Sequence, residues 1–259
     1  MDDLISIILP TLAQNETVNK TLECINQSTS LYELILVVPE RQKYRIKNLQ
    51  LPKNSTVIYT AFADQVAQRQ VGINLATGNF ILQIDDDYVF SKKCLDQLKL
   101  KLAKLPDEAL ISPVIKFSDQ NIKKSLLTRS GKLWLQTFPR ALPDFDPANN
   151  SPVKVDWLPG GFILTHISNA KVNHVYPFEG KAIDEDVLHS VQRTAAGKVH
   201  YIAQDLCVTT EFTDETKLKL TFDLDIKRYI FRINNEYIIL FYISYLIKLL
   251  TRIPGRFFK

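Results

Sequence analysis

The stretch FILQIDDDYVF, residues 80–90, places three consecutive aspartates directly after a run of strand-forming apolar residues. Residues 80–84 are predicted to form a buried strand, so Asp85, Asp86 and Asp87, here called the acidic triplet, fall at its carboxyl end. Adjacent carboxylates repel one another, a strain that either solvent or a bound cation relieves. Hard divalent cations prefer oxygen ligands of this kind. The stretch therefore predicts either an ordinary acidic turn or one half of a cation site.

Four other short apolar runs have the same character, at residues 5–9, 34–38, 57–59 and 110–115. Runs that are apolar on both faces are typical of strands covered by helices on both sides. Residues 16–26 and 64–76 have apolar side chains at helical spacing and are predicted crossover helices, with Asn15 as the candidate cap of the first. The pattern predicts an α/β fold with a mostly parallel sheet. Ligands of such sheets bind at the carboxyl ends of the strands, where the acidic triplet lies.

The second half of the chain contains another group of acids. The pattern weakens over residues 119–154, which are predicted to form a long loop, and a strand at 161–165 and a helix at 184–197 follow. Asp184, Glu185 and Asp186 open that helix, where acids also stabilise the helix dipole without any other role. Two acidic clusters in one fold nevertheless favour a site that combines a metal with a general base.

A paired glycine lies between the two acidic clusters. Gly160 and Gly161 precede the strand at 161–165, and they allow either a plain turn or the close approach of a ligand that a Cβ would prevent. Trp157 lies three residues earlier and suits either stacking on a sugar face or packing in the core. Both a structural role and a ligand-binding role therefore stay open for these three residues.

Composition places the chain among ordinary globular proteins. It has 259 residues, 46% of them hydrophobic, and a formal charge of +4, with no long stretch of interleaved basic and aromatic residues before the C-terminus. No nucleic acid partner is expected. Three widely spaced cysteines without a CxxC pair predict neither a disulfide framework nor a zinc site, and the acidic N-terminus does not have the pattern of a signal peptide. We predict a cytoplasmic protein with one large domain, residues 1–220.

Residues 221–259 form a compositionally distinct tail. Its apolar run at 237–250 is shorter than the roughly 20 residues that cross a bilayer, and basic residues flank it. The tail is predicted to be an amphipathic helix at the inner face of the cell membrane. The alternative is a terminal helix packed on the domain or in the seam of a homodimer.

Four stretches in order resemble a known family. They are ISIILPTLAQNETVNKTLECINQST (residues 5–29), AQRQVGINLATGNFILQIDDD (67–87), VDWLPGGFIL (155–164) and DEDVLHSVQRTAAGKVHYIA (184–203). Together they resemble the Pro-Thr turn, the arginine-containing helix with its DxD motif, the acceptor-side Gly-Gly segment and the ED helix of family 2 glycosyltransferases. The resemblance implies a GT-A fold, the Rossmann-like fold of nucleotide-diphospho-sugar transferases, and it covers about residues 4–210.

The resemblance also implies roles for individual residues. Asp87 is the principal ligand of Mn²⁺ or Mg²⁺, with Asp85 in the metal shell, and Asp186 is the general base. The donor-binding set that it implies is Pro10, Thr11, Leu12, Arg69, Asp85 and Asp86. The acceptor-binding set that it implies is Trp157, Gly160, Gly161, Asp184 and Glu185.

The chain departs from the family pattern in two places. The family strand that ends in Val-Asp-Asp-Gly is ILVVPE here, so Val38 and Pro39 occupy the acidic positions. Glu40, one residue later, or the backbone around Thr11 and Leu12 is left to contact the nucleotide base. The Gln-x-x-Arg-Trp motif of processive synthases is missing, which favours transfer of a single sugar.

The predicted function is metal-dependent, inverting transfer of one sugar from a nucleotide-diphosphate sugar. The acceptor is expected to be a hydroxyl of a glycan or lipid-linked molecule in polysaccharide or cell-envelope glycan biosynthesis. Two alternatives stay open. One is a membrane-associated scaffold with a degenerate transferase domain. The other is a phosphatase of the haloacid dehalogenase type, which ILQIDDDYV resembles locally, with Asp85 as its nucleophile.

Overall fold

The computed structural model describes residues 4–13, 16–117, 142–171 and 185–210. Several sequence predictions lie outside these residues: the cap Asn15, the acceptor residue Asp184, much of the loop at 119–154, and the tail at 221–259 with its expected membrane association. Within the described ranges, no helix is both long enough and apolar enough to cross a bilayer.

The described residues form alternating strands and helices. The strands are β1 (Ile5–Pro10), β2 (Tyr32–Pro39), β3 (Ser55–Thr60), β4 (Phe80–Ile84), β5 (Tyr88–Val89), β6 (Ala109–Phe117), β7 (Val153–Val155), β8 (Phe162–His166) and β9 (Val199–Thr210). The α-helices are α1 (Thr17–Asn26), α2 (Gln65–Leu75), α3 (Cys94–Leu102), α4 (Ile167–Ala170) and α5 (Glu185–Ala195). A 3₁₀ helix covers Glu40–Asn48.

These strands belong to one mixed sheet with the order β3-β2-β1-β4-β8-β6-β9-β5, and β7 pairs with β9. The first four strands in this order are parallel, β8 runs antiparallel to both β4 and β6, and β6 and β9 are parallel. The predicted α/β fold with a mixed sheet and flanking helices is confirmed. Because β8 is antiparallel to β4, its first residues lie at the sheet edge where the acidic triplet begins.

Both faces of the sheet are buried, which explains the uninterrupted apolar strands. Ile5, Ile7 and Leu9 of β1 belong to a core shared with α1 and α3. Ile8 points to the opposite face and packs with Ile73 of α2. A strand with helices on both sides gains from apolar side chains at every position.

The predicted strands and helices are present, with small shifts at their ends, and the predicted strand at 80–84 has those bounds. Asp64 caps α2, since its side chain accepts a hydrogen bond from the Ala67 amide at 3.0 Å. The loop prediction is wrong at its end, because β7 (Val153–Val155) lies partly within residues 119–154. A three-residue strand has too few positions to establish a periodicity, and its pairing with β9 stabilises it.

His200 gives the fold a predictable response to acid. It lies on β9 opposite Val155 and is 1% exposed. Burial, and then the nearby Arg193, lower its pKa to about 4, although a hydrogen bond with the Asp156 backbone opposes them. The unfolded chain therefore binds a proton near pH 6.5 while the folded chain does not.

We expect the free energy of unfolding to fall by about 3 kcal/mol as the pH drops from above 6.5 to about 4, through this histidine alone. Urea unfolding of the wild type and His200→Gln at a series of pH values measures this contribution. The difference between the two proteins should change over that range, and a constant difference would contradict the assignment.

Candidate active site

Asp85 is held by the helix that precedes its strand. Arg69 Nη2 of α2 lies 2.5 Å from Asp85 Oδ1, and Gln65 Nε2 donates to the same oxygen at 2.9 Å. Arg69 is four residues after Gln65, so one face of α2 presents both donors to one carboxylate. The first aspartate of the triplet thus points toward α2.

The other two aspartates point elsewhere. Thr11, directly after β1, donates from its hydroxyl to Asp86 Oδ2. Thr210, at the end of β9, donates to Asp87 Oδ2 at 2.8 Å. The triplet is tolerated because three different elements each hold one carboxylate. Burial raises the pKa of Asp86 to about 6, the Thr11 hydrogen bond opposes this, and the flanking aspartates add to it.

Arg69 joins the acidic triplet to the second acidic cluster. Its Nη1 lies 3.0 Å from Glu185 Oε1, at the start of α5, while its Nη2 contacts Asp85. The arginine is 3% exposed. Burial lowers its pKa, but the carboxylates of Asp85 and Glu185 outweigh this and hold the pKa above its ordinary value. One buried guanidinium therefore brings the two predicted acidic clusters into a single site.

Gly160 and Gly161 lie between the two acidic clusters. The Asp85 amide donates to the Gly161 carbonyl at 2.9 Å. A Cβ at Gly161 would lie 2.5 Å from Tyr88 Oη and 2.7 Å from Asp85 Oδ2, so a side chain there would displace Tyr88 or Asp85. A Cβ at Gly160 would lie 3.0 Å from Glu185 Oε1. Protein atoms thus surround both glycines, and the approach of a ligand to this pair stays a prediction.

Ser190 fixes the beginning of α5 beside the glycines. Its hydroxyl donates to the Asp186 carbonyl at 2.7 Å and accepts from the Leu158 amide at 3.1 Å. Asp186 is half-buried, and its Cβ would lie 3.4 Å from a Cβ at Gly160. Trp157 precedes Leu158 and is also half-buried. The predicted base therefore lies at the same edge of the sheet as the triplet.

Comparison with known proteins assigns the family. The family model described as "Glycosyl transferase family 2" matches residues 6–162. The chain belongs to glycosyl transferase family 2. The predicted glycosyltransferase is confirmed at this level, and the phosphatase alternative is wrong. A search of curated protein sequences gives no significant match.

Solved structures share the fold of this family 2 glycosyltransferase. S. aureus TarS 1–349 in complex with UDP-GlcNAc is 15% identical with a TM-score of 0.63, and the match covers 90% of this chain and 66% of TarS 1–349. GalNAc-T7 with UDP, GalNAc and Mn²⁺ is 12% identical with a TM-score of 0.60, covering 82% of this chain and 43% of that one. The GT-A fold predicted from the sequence is thereby confirmed.

The turn after β1 contains Pro10, Thr11 and Leu12, which the sequence predicts as donor-binding residues. The Thr11 amide donates to the Val37 carbonyl at 3.0 Å, and the Thr11 hydroxyl accepts from the Ala13 amide at 2.8 Å. Ala13 has a φ of 50°, so the chain turns sharply past Leu12, which is 37% exposed. Pro10 ends β1 and is buried. This turn holds Thr11 against Asp86.

Glu40 follows β2 and opens the 3₁₀ helix. Its carboxylate lies 3.0 Å from Lys43 Nζ, and its side chain is 61% exposed. The side chain thus forms a solvent-exposed ion pair on the surface of the 3₁₀ helix. Its predicted contact with the nucleotide base stays a prediction.

The acidic triplet is the predicted metal site, and its carboxylate oxygens are of the type that Mg²⁺ and Mn²⁺ prefer. Within the described parts of the chain, no three His, Cys, Asp or Glu side chains are arranged to hold a metal ion. Mg²⁺ commonly takes one or two carboxylates and completes its shell with water and phosphate oxygens. Asp87 and Asp85 are the carboxylates predicted for that role; Thr210 donates to Asp87 Oδ2, and Arg69 and Gln65 contact Asp85 Oδ1.

Tyr88 is a site residue that the sequence did not identify. Its ring is buried edge-on against Phe162 at a centroid distance of 5.7 Å. Its hydroxyl lies over Gly161 beside Asp85. Burial, followed by the carboxylates of the triplet, raises the pKa of the phenol well above its ordinary value, and Asp186 contributes in the same direction. A neutral hydroxyl therefore faces both acidic clusters. Because Tyr88 begins the apolar stretch YVF, the sequence pattern indicates a core residue and does not indicate a hydroxyl beside the carboxylates.

Replacing Arg69 by methionine should destabilise the protein strongly. The change leaves the Asp85 and Glu185 carboxylates without their cation, and Glu185 is 8% exposed. Breaking a buried ion pair costs about 3–5 kcal/mol. We expect the free energy of unfolding to fall by an amount near the lower figure, because Asp85 is partly solvated. Urea unfolding measures it. Lys43→Met, which breaks the exposed pair with Glu40, is the control and should cost less than about 1 kcal/mol. Equal losses would contradict a bridging role.

Proposed function

We propose that this chain is a metal-dependent, inverting glycosyltransferase that moves one sugar from a nucleotide-diphosphate sugar to an acceptor hydroxyl. The observation that supports the proposal is the Arg69 bridge, whose two nitrogens contact Asp85 and Glu185. It unites a candidate metal carboxylate with a candidate base at the carboxyl edge of the sheet. That edge is where open α/β folds bind ligands.

The donor is proposed to be a UDP-sugar. Structures of the same fold contain UDP-GlcNAc in TarS, and UDP with GalNAc and Mn²⁺ in GalNAc-T7. Asp86 and the turn at Pro10, Thr11 and Leu12 are proposed to contact the nucleotide. Glu40 or the turn backbone would contact the base where Val38 and Pro39 replace the family's acids.

Asp87 would hold the Mn²⁺ or Mg²⁺, with Asp85 beside it. When bound, the cation offsets the negative charge that develops on the departing diphosphate. Thr210 orients the Asp87 carboxylate by donating to Oδ2. Arg69 and Gln65 orient Asp85 in the same way. The protein thus presents a fixed carboxylate before substrate arrives, which avoids reorganisation during the reaction.

Asp186 is proposed to act as general base. Its carboxylate would take the proton of an acceptor hydroxyl as that oxygen attacks the anomeric carbon, from the face opposite the diphosphate. Gly160 lets the chain pass close to the start of α5, since a Cβ there would lie 3.0 Å from Glu185 Oε1 and 3.4 Å from Asp186 Cβ. Glu185, tied to Arg69, holds the start of α5 in place. Trp157, Gly160, Gly161 and Asp184 complete the proposed acceptor side.

The acceptor is proposed to be a glycan or lipid-linked molecule of polysaccharide or cell-envelope biosynthesis. The apolar and basic composition of residues 221–259 supports a position at the inner face of the cell membrane. The missing Gln-x-x-Arg-Trp motif supports transfer of one sugar at a time.

A thermal-unfolding screen of sugar nucleotides, each with and without Mn²⁺, tests the proposal without an acceptor. Binding to the folded state alone raises the midpoint with ligand concentration. We expect one or more UDP-sugars to stabilise the protein only when Mn²⁺ is present. No stabilisation by any sugar nucleotide would contradict the proposal. Stabilisation without turnover in the presence of any acceptor would favour the scaffold alternative.

A further inference from the structure

The buried face of α5 contains a cation that the proposed mechanism does not use. Glu185, His189 and Arg193 are spaced four residues apart and are 8%, 6% and 5% exposed. Glu185 is paired with Arg69. Arg193 has no ion pair with the described residues, and its Nε has no hydrogen-bond acceptor. α5 therefore places one paired and one unpaired charge on the same face.

Other buried nitrogen atoms near Arg193 are also unsatisfied. Arg69 Nε and His200 Nε2 have no hydrogen-bond partner. Burial and the neighbouring Arg69 lower the pKa of Arg193 to about 10, so it remains charged at neutral pH. Arg193 in turn lowers the pKa of His200, after burial. These three residues are thus close enough to interact, and two of them are cationic donors.

Arg69, the neighbour of Arg193, borders the candidate active site. Arg69 Nη1 is 3.6 Å from the position that a Cβ of Gly160 would occupy. Removing a guanidinium from water without an acceptor is costly, and a buried charge ordinarily has a partner. A ligand that supplies only acceptor oxygens and negative charge would satisfy both Nε–H groups. Phosphate and carboxylate groups have that chemistry.

We propose that Arg193, together with Arg69, forms an oxyanion subsite that binds a phosphate or carboxylate group of the acceptor. Arg193 follows Asp186 by seven residues on α5, which is about 10 Å along the helix axis. The anionic group would therefore lie away from the hydroxyl that attacks, elsewhere on an anionic acceptor. This assignment rests on the proposed function only where it attributes the anionic group to the acceptor. The donor diphosphate could supply the same phosphate oxygens.

Binding of inorganic phosphate tests the subsite directly. Titration of phosphate, at ionic strength held constant with chloride, should raise the unfolding midpoint of the wild type. Arg193→Gln should weaken the apparent phosphate affinity by about tenfold or more. The control is Arg41→Gln, which changes an exposed arginine and should behave as the wild type. Equal phosphate affinity in the wild type and Arg193→Gln, or no response beyond that to chloride, would overturn the proposal.

Repeating the titration with saturating UDP and Mn²⁺ distinguishes the two sources of the anion. A phosphate response that persists supports the acceptor subsite. A response that UDP abolishes assigns the subsite to the donor diphosphate and overturns the acceptor assignment. The same samples also give the change in unfolding midpoint that UDP and Mn²⁺ cause without phosphate. If UDP and Mn²⁺ raise the midpoint but phosphate does not, this inference fails while the proposed function stands.

The stability of the ligand-free protein gives a second, independent test. If Arg193 is retained for a ligand, Arg193→Met should raise the unfolding midpoint, because it removes a buried charge without a partner. Arg69→Met should lower it, because that arginine has two carboxylate partners. A midpoint for Arg193→Met as low as that of Arg69→Met would show that Arg193 has a structural counter-charge, and the proposal would be rejected.

Discussion

Replacing Asp186 by asparagine is expected to reduce sugar transfer by about 10³-fold while leaving binding of the nucleotide with its metal unchanged. The amide has nearly the shape of the carboxylate and cannot accept the proton of the acceptor hydroxyl. The start of α5 should keep its position, because Ser190 binds the Asp186 carbonyl rather than its side chain. Turnover is measured as release of nucleoside diphosphate in the presence of acceptor.

Two comparisons make this result specific to the base. Asp107→Asn changes an exposed acid before β6 and should retain wild-type turnover. Thermal stabilisation by UDP and Mn²⁺ should be the same in Asp186→Asn and the wild type, since Asp186 is not proposed to contact the donor. Wild-type turnover in Asp186→Asn would remove this residue as the general base.

Asp87→Asn is expected to give the second large effect, on donor binding rather than on proton transfer. The change removes the charge of the proposed metal ligand and keeps an acceptor oxygen for the Thr210 hydroxyl, which now contacts Oδ2 at 2.8 Å. We expect affinity for UDP in the presence of Mn²⁺ to fall by about a hundredfold, which corresponds to about 2.7 kcal/mol. Isothermal titration calorimetry measures this affinity directly.

The metal-free titration is the internal control for Asp87→Asn. Without Mn²⁺, the variant should bind UDP at least as tightly as the wild type, because the loss acts through the cation and the missing carboxylate no longer repels the diphosphate. Asp107→Asn serves again as the matched change of an exposed aspartate. Wild-type affinity of Asp87→Asn in the presence of Mn²⁺ would overturn the assignment of the ligand.

The sheet could be predicted from the sequence because each strand is marked by a short run of consecutive apolar residues. Residues 80–84 are apolar throughout, and the strand is buried throughout. The triplet follows directly, so its position at the carboxyl edge follows from the direction of β4. The ends of α2 were predictable for the same reason, since Asp64 lies where a cap is needed.

The joining of the two acidic clusters could not be predicted from local pattern. Arg69 and Glu185 are separated by 116 residues, and their contact forms only when α2 and α5 meet in the folded chain. The directions of Asp86 and Asp87 depend likewise on hydroxyls from distant parts of the chain, Thr11 and Thr210. Tyr88 and Arg193 have no distinctive pattern, because an aromatic residue in an apolar run and an arginine in a helix are both common.

The stereochemistry of the transferred sugar tests the central claim most directly. The donor identified by thermal stabilisation is incubated with an envelope glycan or lipid acceptor, and the anomeric proton of the product is followed by NMR. A single displacement with Asp186 as base predicts inversion at the anomeric carbon, dependent on Mn²⁺ or Mg²⁺ and lost in Asp186→Asn. Retention of configuration, or equal transfer after the metal is removed by a chelator, would contradict the account.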